Sequence, residues 1–253
     1  MLPLGQAPVI YEERNGVAII RLNRPEKLNA LNLEAWMQLG EYLRKACRSG
    51  IKAVVITGSG RAFSSGDDIR SMYSLESLED SLSFFKTLHG ALEAMARCRR
   101  PIVAAVNGLA VGGGAEILLL ADVVLASREA WFAFPESHIG LIPPLLSTLG
   151  RSVFGERKAR MLGITGAKLD VEEAKAMGLV DDVVEPGELE AKALEVAESL
   201  GLIPDQSVAE IRRATVEPYR VELENMVNRL AELVLTKEAK ERMRLFLERR
   251  KKE

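Results

Sequence analysis

Up to about Leu145 the apolar residues of this chain alternate between strand-like runs and helical spacing; beyond it the helical spacing dominates. Residues 9–12 and Val17–Leu22, split by Asn15-Gly16, have the alternation and turn chemistry of a β-hairpin. Residues 33–47 repeat apolar positions at helical spacing, and so do residues 78–97, which stop before Pro101. Residues 53–57, Ile102–Val106 and 122–126 are short apolar runs of the kind buried strands make, and 131–134 is a further short strand closed by Pro135. This succession of strand, loop and helix predicts α/β architecture with loops gathered at the strand ends. Residues 181–184 are one more short strand. The rest of the C-terminal part reads as helices over 207–215, 219–236 and 238–250, with Pro204 and Pro218 at the joints. Such striped helices must cover something, either their own core or a neighbouring subunit, and an oligomer is expected.

One stretch carries chemistry. It is Pro101-Ile-Val-Ala-Ala-Val-Asn-Gly-Leu-Ala-Val-Gly-Gly-Gly-Ala-Glu116, a buried strand, a turn, three glycines and a helix start with one carboxylate in its first turn. Glycines at a helix start leave backbone N–H groups approachable, and those groups favour a negative oxygen. Gly113 and Glu116, three apart, share a helix face. Taken alone, Glu116 is an ordinary first-turn acid, but the apolar Ile117-Leu-Leu-Leu120 beside it predicts a buried carboxylate, which needs a reason. The triplet is not a dinucleotide fingerprint, because Ile117 stands where the last glycine belongs, and no P-loop Lys-Ser/Thr follows.

Bulk properties narrow the field. With 253 residues, 47% hydrophobic and 28% charged, the chain buries a full core, and its net charge of −2 gives no footprint for nucleic acid. No apolar run reaches membrane-spanning length and no signal peptide is evident. The two cysteines, Cys47 and Cys98, lack metal or redox-motif spacing and read as reduced structural thiols of a cytoplasmic protein. His89 and His138 are too few and too far apart for a metal site, and His138 is expected in a structural or rim role. The basic run 249–252 reads as a solvated helix end.

Three further segments line up with the glycine stretch: Asn23-Arg-Pro-Glu-Lys-Leu-Asn-Ala-Leu-Asn32, Ala62-Phe-Ser-Ser-Gly-Asp-Asp-Ile69 and Phe134-Pro-Glu-Ser-His-Ile-Gly-Leu141. In this order and spacing the four resemble the enoyl-CoA hydratase/isomerase (crotonase) superfamily, over about residues 9–186. The resemblance implies a spiral of strand-strand-helix turns over residues 1–200 and a helical trimerisation region over 201–253. It also implies an acyl-CoA substrate, a homotrimer or dimer of trimers, and no cofactor or metal beyond the coenzyme A of the substrate. Two backbone N–H groups, of Asp67 and Gly113, would hold the thioester oxygen, and Glu116 and Glu136 would be the catalytic pair. Glu116 would activate water toward C3 and Glu136 would supply the proton at C2. The walls would include Leu28, Ala30 and Met72. Ser65, Asp67, Asp68 and Ile69 would border the adenine and pantetheine, and Arg24, Lys27 and Arg70 are candidates for the phosphates.

The expected activity is hydration of a 2-enoyl-CoA. Double-bond isomerisation is the alternative, and a non-catalytic or RNA-binding member of the fold is disfavoured by charge. Two departures from the family pattern matter. Asp67 stands where hydratases usually carry a small or apolar residue, so its side chain is expected to turn away or to cap the next helix. A glycine-rich segment is replaced by Ile142-Pro-Pro-Leu-Leu-Ser147, whose Leu145 and Leu146 are expected to narrow the pocket or exclude water.

Overall fold

The computed structural model describes residues 7–48 and 50–249. Ten strands are present: β1 (Val9–Arg14), β2 (Val17–Leu22), β3 (Ala53–Gly58), β4 (Ala62–Ser64), β5 (Ile102–Val106), β6 (Leu109–Val111), β7 (Val123–Ser127), β8 (Trp131–Ala133), β9 (Leu169–Asp170) and β10 (Asp182–Val184). They form a six-stranded sheet in the order β1-β2-β3-β5-β7-β10 and a four-stranded sheet in the order β4-β6-β8-β9. The β1–β2 hairpin and the β8–β9 pair are antiparallel, and the other pairs are parallel.

The chain spirals. A long strand in the first sheet is followed by a short strand in the second, then by helix, and the pattern repeats through β3–β4, β5–β6 and β7–β8. Strands β3 and β5 are buried along their whole length, which is why they read as unbroken apolar runs. Val54, Ile56, Ala104 and Val106 face the main core. Val55, Val103 and Ala105 face the other way and are covered by Leu189, Ala193 and Ala197 of the Leu189–Leu200 helix. The hairpin and the long helices Leu33–Arg48 and Leu78–Ala96 match the periodicity within a residue or two. Strands β4, β6 and β9, three residues or fewer, carry too little pattern to be read from sequence.

The C-terminal helices Asp205–Thr215, Arg220–Leu233 and Lys237–Arg249 lie on the chain's own core. Leu223, Val227, Leu230 and Met243 belong to the main apolar cluster. Arg212, only 4% exposed, donates to both carboxylate oxygens of Asp122 and to the Cys98 carbonyl, while Asp122 accepts the Ile102 N–H at 2.6 Å. That ion pair, buried on the Arg212 side and open to solvent on the Asp122 side, fixes the tail to the start of β5.

The cysteines correct an expectation. Cys47, at the end of the Leu33–Arg48 helix, and Cys98, just past the Leu78–Ala96 helix, form a disulfide rather than two reduced thiols. The two helices run side by side and bring residues 51 apart into bonding range, which spacing alone does not reveal. The inference from reduced thiols to a cytoplasmic protein loses its premise. No helix among the described residues is long and apolar enough to cross a membrane. Thiol titration of the unreduced protein in denaturant is expected to find no free thiol, and two after reduction; two free thiols before reduction contradict the pairing.

Candidate active site

The second sheet makes the site. Its parallel strands β4, β6 and β8 end side by side, and the residues that follow them are Ser65-Gly66-Asp67, Gly112-Gly113 and Pro135-Glu136. Parallel strands deliver the loops after them to one edge of the sheet, which is where such folds gather ligands. The Gly112 N–H donates to the Ala133 carbonyl at 2.9 Å and so ties the glycine turn to the end of β8.

The glycines are needed for close approach. Gly66 has φ +80°, and a Cβ there would lie 2.5 Å from the Val111 carbonyl oxygen and 3.0 Å from the Gly113 nitrogen. A Cβ on Gly114 would lie 2.6 Å from the Ser64 carbonyl oxygen. The Gly66 loop is also held from outside. Leu31 N–H donates to the Gly66 carbonyl at 2.8 Å, and Asp68 N–H donates to the Leu31 carbonyl at 3.0 Å. These bonds use the groups on either side of the Asp67 amide, which has no main-chain acceptor among the described residues and bonds its own side-chain carboxyl; the Gly113 amide likewise has no main-chain acceptor among them. Both N–H groups lie on adjoining loops at one cavity.

These donors open on a cavity of about 570 Å³. Its lining includes Leu28, Trp36, Ser65, Asp67, Ile69, Met72, Gly113, Glu116, Glu136 and Leu145. Leu28 reaches it through a backbone with φ 52°, unusual for a bulky residue, followed by Asn29 at φ 56°. The buried Asn29 amide bridges the carbonyls of Ser59 and Ala62 at 2.9 and 2.7 Å and pins that turn. Of the expected wall residues, Ala30 is packed in the core and is not among those lining the cavity.

Glu116 is 4% exposed, and its Oε1 accepts the Leu146 N–H at 2.8 Å. The expected intrusion of Leu145 and Leu146 is resolved by this bond. Leu145 forms wall, whereas Leu146 is core, and its amide in the short Pro144–Ser147 helix seats the carboxylate. Burial, then the neighbouring Glu136, push the Glu116 pKa well above its ordinary 4.5, while the Leu146 amide pulls it back. Both Glu136 carboxylate oxygens are buried and lack a hydrogen-bond partner among the described residues. Burial, with the Asp67 carboxyl adding to it, pushes the Glu136 pKa up to about 8.

Several expectations about side chains are corrected. Asp67 neither turns away nor caps a helix. Its Oδ1 accepts the Trp36 indole N–H at 2.8 Å, and its Oδ2 lies 3.0 Å from where a Cβ on Gly113 would stand. The helix cap is Asp68, which accepts the N–H groups of Arg70 and Ser71 and lies outside the cavity lining, so it does not border a ligand there. Arg24 is not available to a phosphate, because it pairs with Asp68 at 2.8 Å and donates to the Ala30 carbonyl at 2.7 Å. Arg70 and Lys27 are exposed and outside the lining, while His138 is exposed at the cavity wall. Arg249 and Arg242 also line the cavity, so Arg249 is more than a solvated helix end; residues 250–252 lie outside the described residues. Trp36 was missed because its place in an amphipathic helix marks it only as core.

A spiral of strand-strand-helix turns, with two main-chain amides on adjoining loops beside two glutamates in one cavity, is an arrangement suited to proton chemistry next to a carbonyl. The family model for enoyl-CoA hydratase/isomerase matches residues 12–253, and the chain belongs to that family. A probable enoyl-CoA hydratase of Rhizobium meliloti (strain 1021) is 36% identical over 97% of this chain and 96% of that protein. A short-chain-enoyl-CoA hydratase of Clostridium acetobutylicum is 32% identical over 96% and 95%. The crystal structure of an enoyl-CoA hydratase/isomerase from Pseudoalteromonas atlantica T6c superposes with a TM-score of 0.84 at 32% identity, covering 96% of this chain and 97% of that one.

Two outcomes are expected of this geometry. Gly66→Ala drives the Asp67 amide out of place and lowers turnover by about 100-fold or more, whereas Gly50→Ala, with nothing within 4 Å of the added carbon, leaves it unchanged. The folded chain keeps a proton on Glu136 up to about pH 8 that the unfolded chain releases near its ordinary 4.5, so this group's contribution to stability falls as pH rises across that window. Glu136→Gln is therefore expected to raise Tm at pH 8 more than at pH 5; an equal change at both, by thermal unfolding, contradicts the burial of an uncompensated acid.

Proposed function

We propose that the protein is an enoyl-CoA hydratase that adds water across the 2,3 double bond of a 2-enoyl-CoA. The observation that carries this reading is the convergence of Glu116 and Glu136 on one cavity beside the paired amides of Asp67 and Gly113. The thioester oxygen would sit between those amides, which stabilise the negative charge that grows on it; each such donor is worth roughly 10²–10³ in rate. Glu116, seated by the Leu146 N–H, takes a proton from water as the oxygen attacks C3. The unpartnered Glu136 is suited to the neutral form and gives its proton to C2 of the enolate. Coenzyme A belongs to the substrate, and no other cofactor enters the reaction as proposed. Arg249 on the last helix, which lines the cavity, would meet its phosphates, whereas Arg242 beside it pairs with Glu238 at 3.0 Å.

The apolar Leu202 and Ile203, exposed in the turn before the Asp205–Thr215 helix, with Ile211 and Val221, exposed on the helices that follow, are the surface through which copies would associate as a trimer or dimer of trimers. Isomerisation keeps a footing in the aliphatic wall of Leu88, Leu92, Leu141 and Leu145, which suits a dry proton transfer between carbons.

Glu116→Gln and Glu136→Gln are each expected to lower crotonyl-CoA hydration by orders of magnitude while coenzyme A binding persists. Near-normal turnover in either overturns the two-carboxylate mechanism. A shifted alkene from a longer enoyl-CoA, with no hydroxyacyl product, replaces hydration by isomerisation.

A further inference from the structure

The Asp67 carboxyl is the one acidic group in the cavity that the reaction above does not use. Its position is set from two sides. The Trp36 indole holds Oδ1, and Oδ2 lies over Gly113, whose amide is half of the oxygen-binding pair. The titratable groups facing it are acids: Glu116 from the Gly113–Glu116 helix, Glu136 from the short helical turn after β8, and Asp68 next in the chain, itself neutralised by Arg24. His138, Arg242 and Arg249 lie farther along the same cavity wall.

An ionised carboxylate beside a developing oxyanion would raise the barrier, whereas a neutral carboxylic acid in the same place donates a hydrogen bond to it. The acids gathered here are not all ionised together. The indole decides which oxygen of a neutral Asp67 carries the proton. Oδ1 is committed as an acceptor from the indole, which assigns the proton to Oδ2, the oxygen on the Gly113 side.

We propose that Asp67, as a neutral acid, is a third hydrogen-bond donor to the thioester oxygen, and that Trp36 is the positioning residue that aims its proton. The proposal rests on the acyl-CoA enolate reading and adds a catalytic side chain to it. Burial already pushes the Asp67 pKa from 3.8 up to about 6, with the Trp36 hydrogen bond and the residue's own main-chain N–H pulling it back. An acyl group that displaces water and gathers negative charge at its carbonyl pushes it further in the same direction.

The test is the absorption spectrum of a bound cinnamoyl-CoA carrying a para-amino donor, whose band moves to the red as the thioester carbonyl is polarised, together with kcat and KM on crotonyl-CoA. Asp67→Ala is expected to lose much of the red shift and about 100-fold in kcat, with KM little changed. Asp67→Asn offers an N–H in the same place and is expected to recover most of the red shift and about tenfold of that rate. Trp36→Phe is expected to weaken the red shift at unchanged affinity. A red shift and kcat undiminished in Asp67→Ala overturn the proposal, since the side chain would then be a bystander or a repelling charge. Asp67→Asn no better than Asp67→Ala overturns it too. The spectrum reads polarisation without turnover, so a wild type with an Asp67-dependent red shift that hydrates nothing supports the donor and removes hydration alone.

Discussion

The contact between the Gly66 loop and the Gly112-Gly113 turn is the constraint on which the rest of the site depends. No side chain fits between them: a Cβ on Gly66 would meet the Val111 carbonyl at 2.5 Å, and one on Gly114 would meet Ser64. Backbones that close can aim two amides at one point, which is what an oxygen acquiring charge requires. The two sheets serve this contact. The first is buried on both faces and supplies rigidity, and the second is made of very short strands whose ends meet at the cavity. Outside supports lock the loops: the Leu31 pairing, the Asn29 bridge between Ser59 and Ala62, and the Gly112 bond to Ala133.

The acids around this contact carry a folding cost. The Glu136 carboxylate oxygens are buried without a partner among the described residues, Glu116 is paid back only in part by the Leu146 amide, and Asp67 is held by an indole and its own main-chain N–H. A core assembled for stability alone would not gather three carboxyls, because each resists ionising there. That resistance suits proton transfer near neutral pH, where ordinary surface carboxylates are too weakly basic.

Much of this was legible in the sequence, and what was not has physical reasons. The hairpin, the buried strands β3 and β5 and the long helices carry strong periodicity, and the four-segment resemblance pointed to Gly113, Glu116, Glu136 and Asp67, which the fold brings to one cavity. The short strands β4 and β6 are flanked closely by glycines, Gly60 and Gly66, Gly108 and Gly112, and read as turn and loop, although they create the site. The Asp67 side chain was misjudged because two adjacent aspartates compete for one helix cap; Asp68 takes it, and Trp36, 31 residues away, receives the other. The Pro143-Pro-Leu-Leu146 departure looked like a block to water, yet its backbone seats Glu116. The Cys47–Cys98 bond depends on how two helices pair, which spacing does not encode.

The central claim is that water is the second reactant and attacks carbon 3 while charge resides on the thioester oxygen. Turnover of crotonyl-CoA in water enriched in oxygen-18, with the product followed by mass spectrometry and carbon NMR, tests it most directly. The account predicts 3-hydroxybutyryl-CoA carrying the label on carbon 3 and an intact thioester. Label appearing only in a released carboxylic acid, or no incorporation while the substrate is consumed, would contradict it.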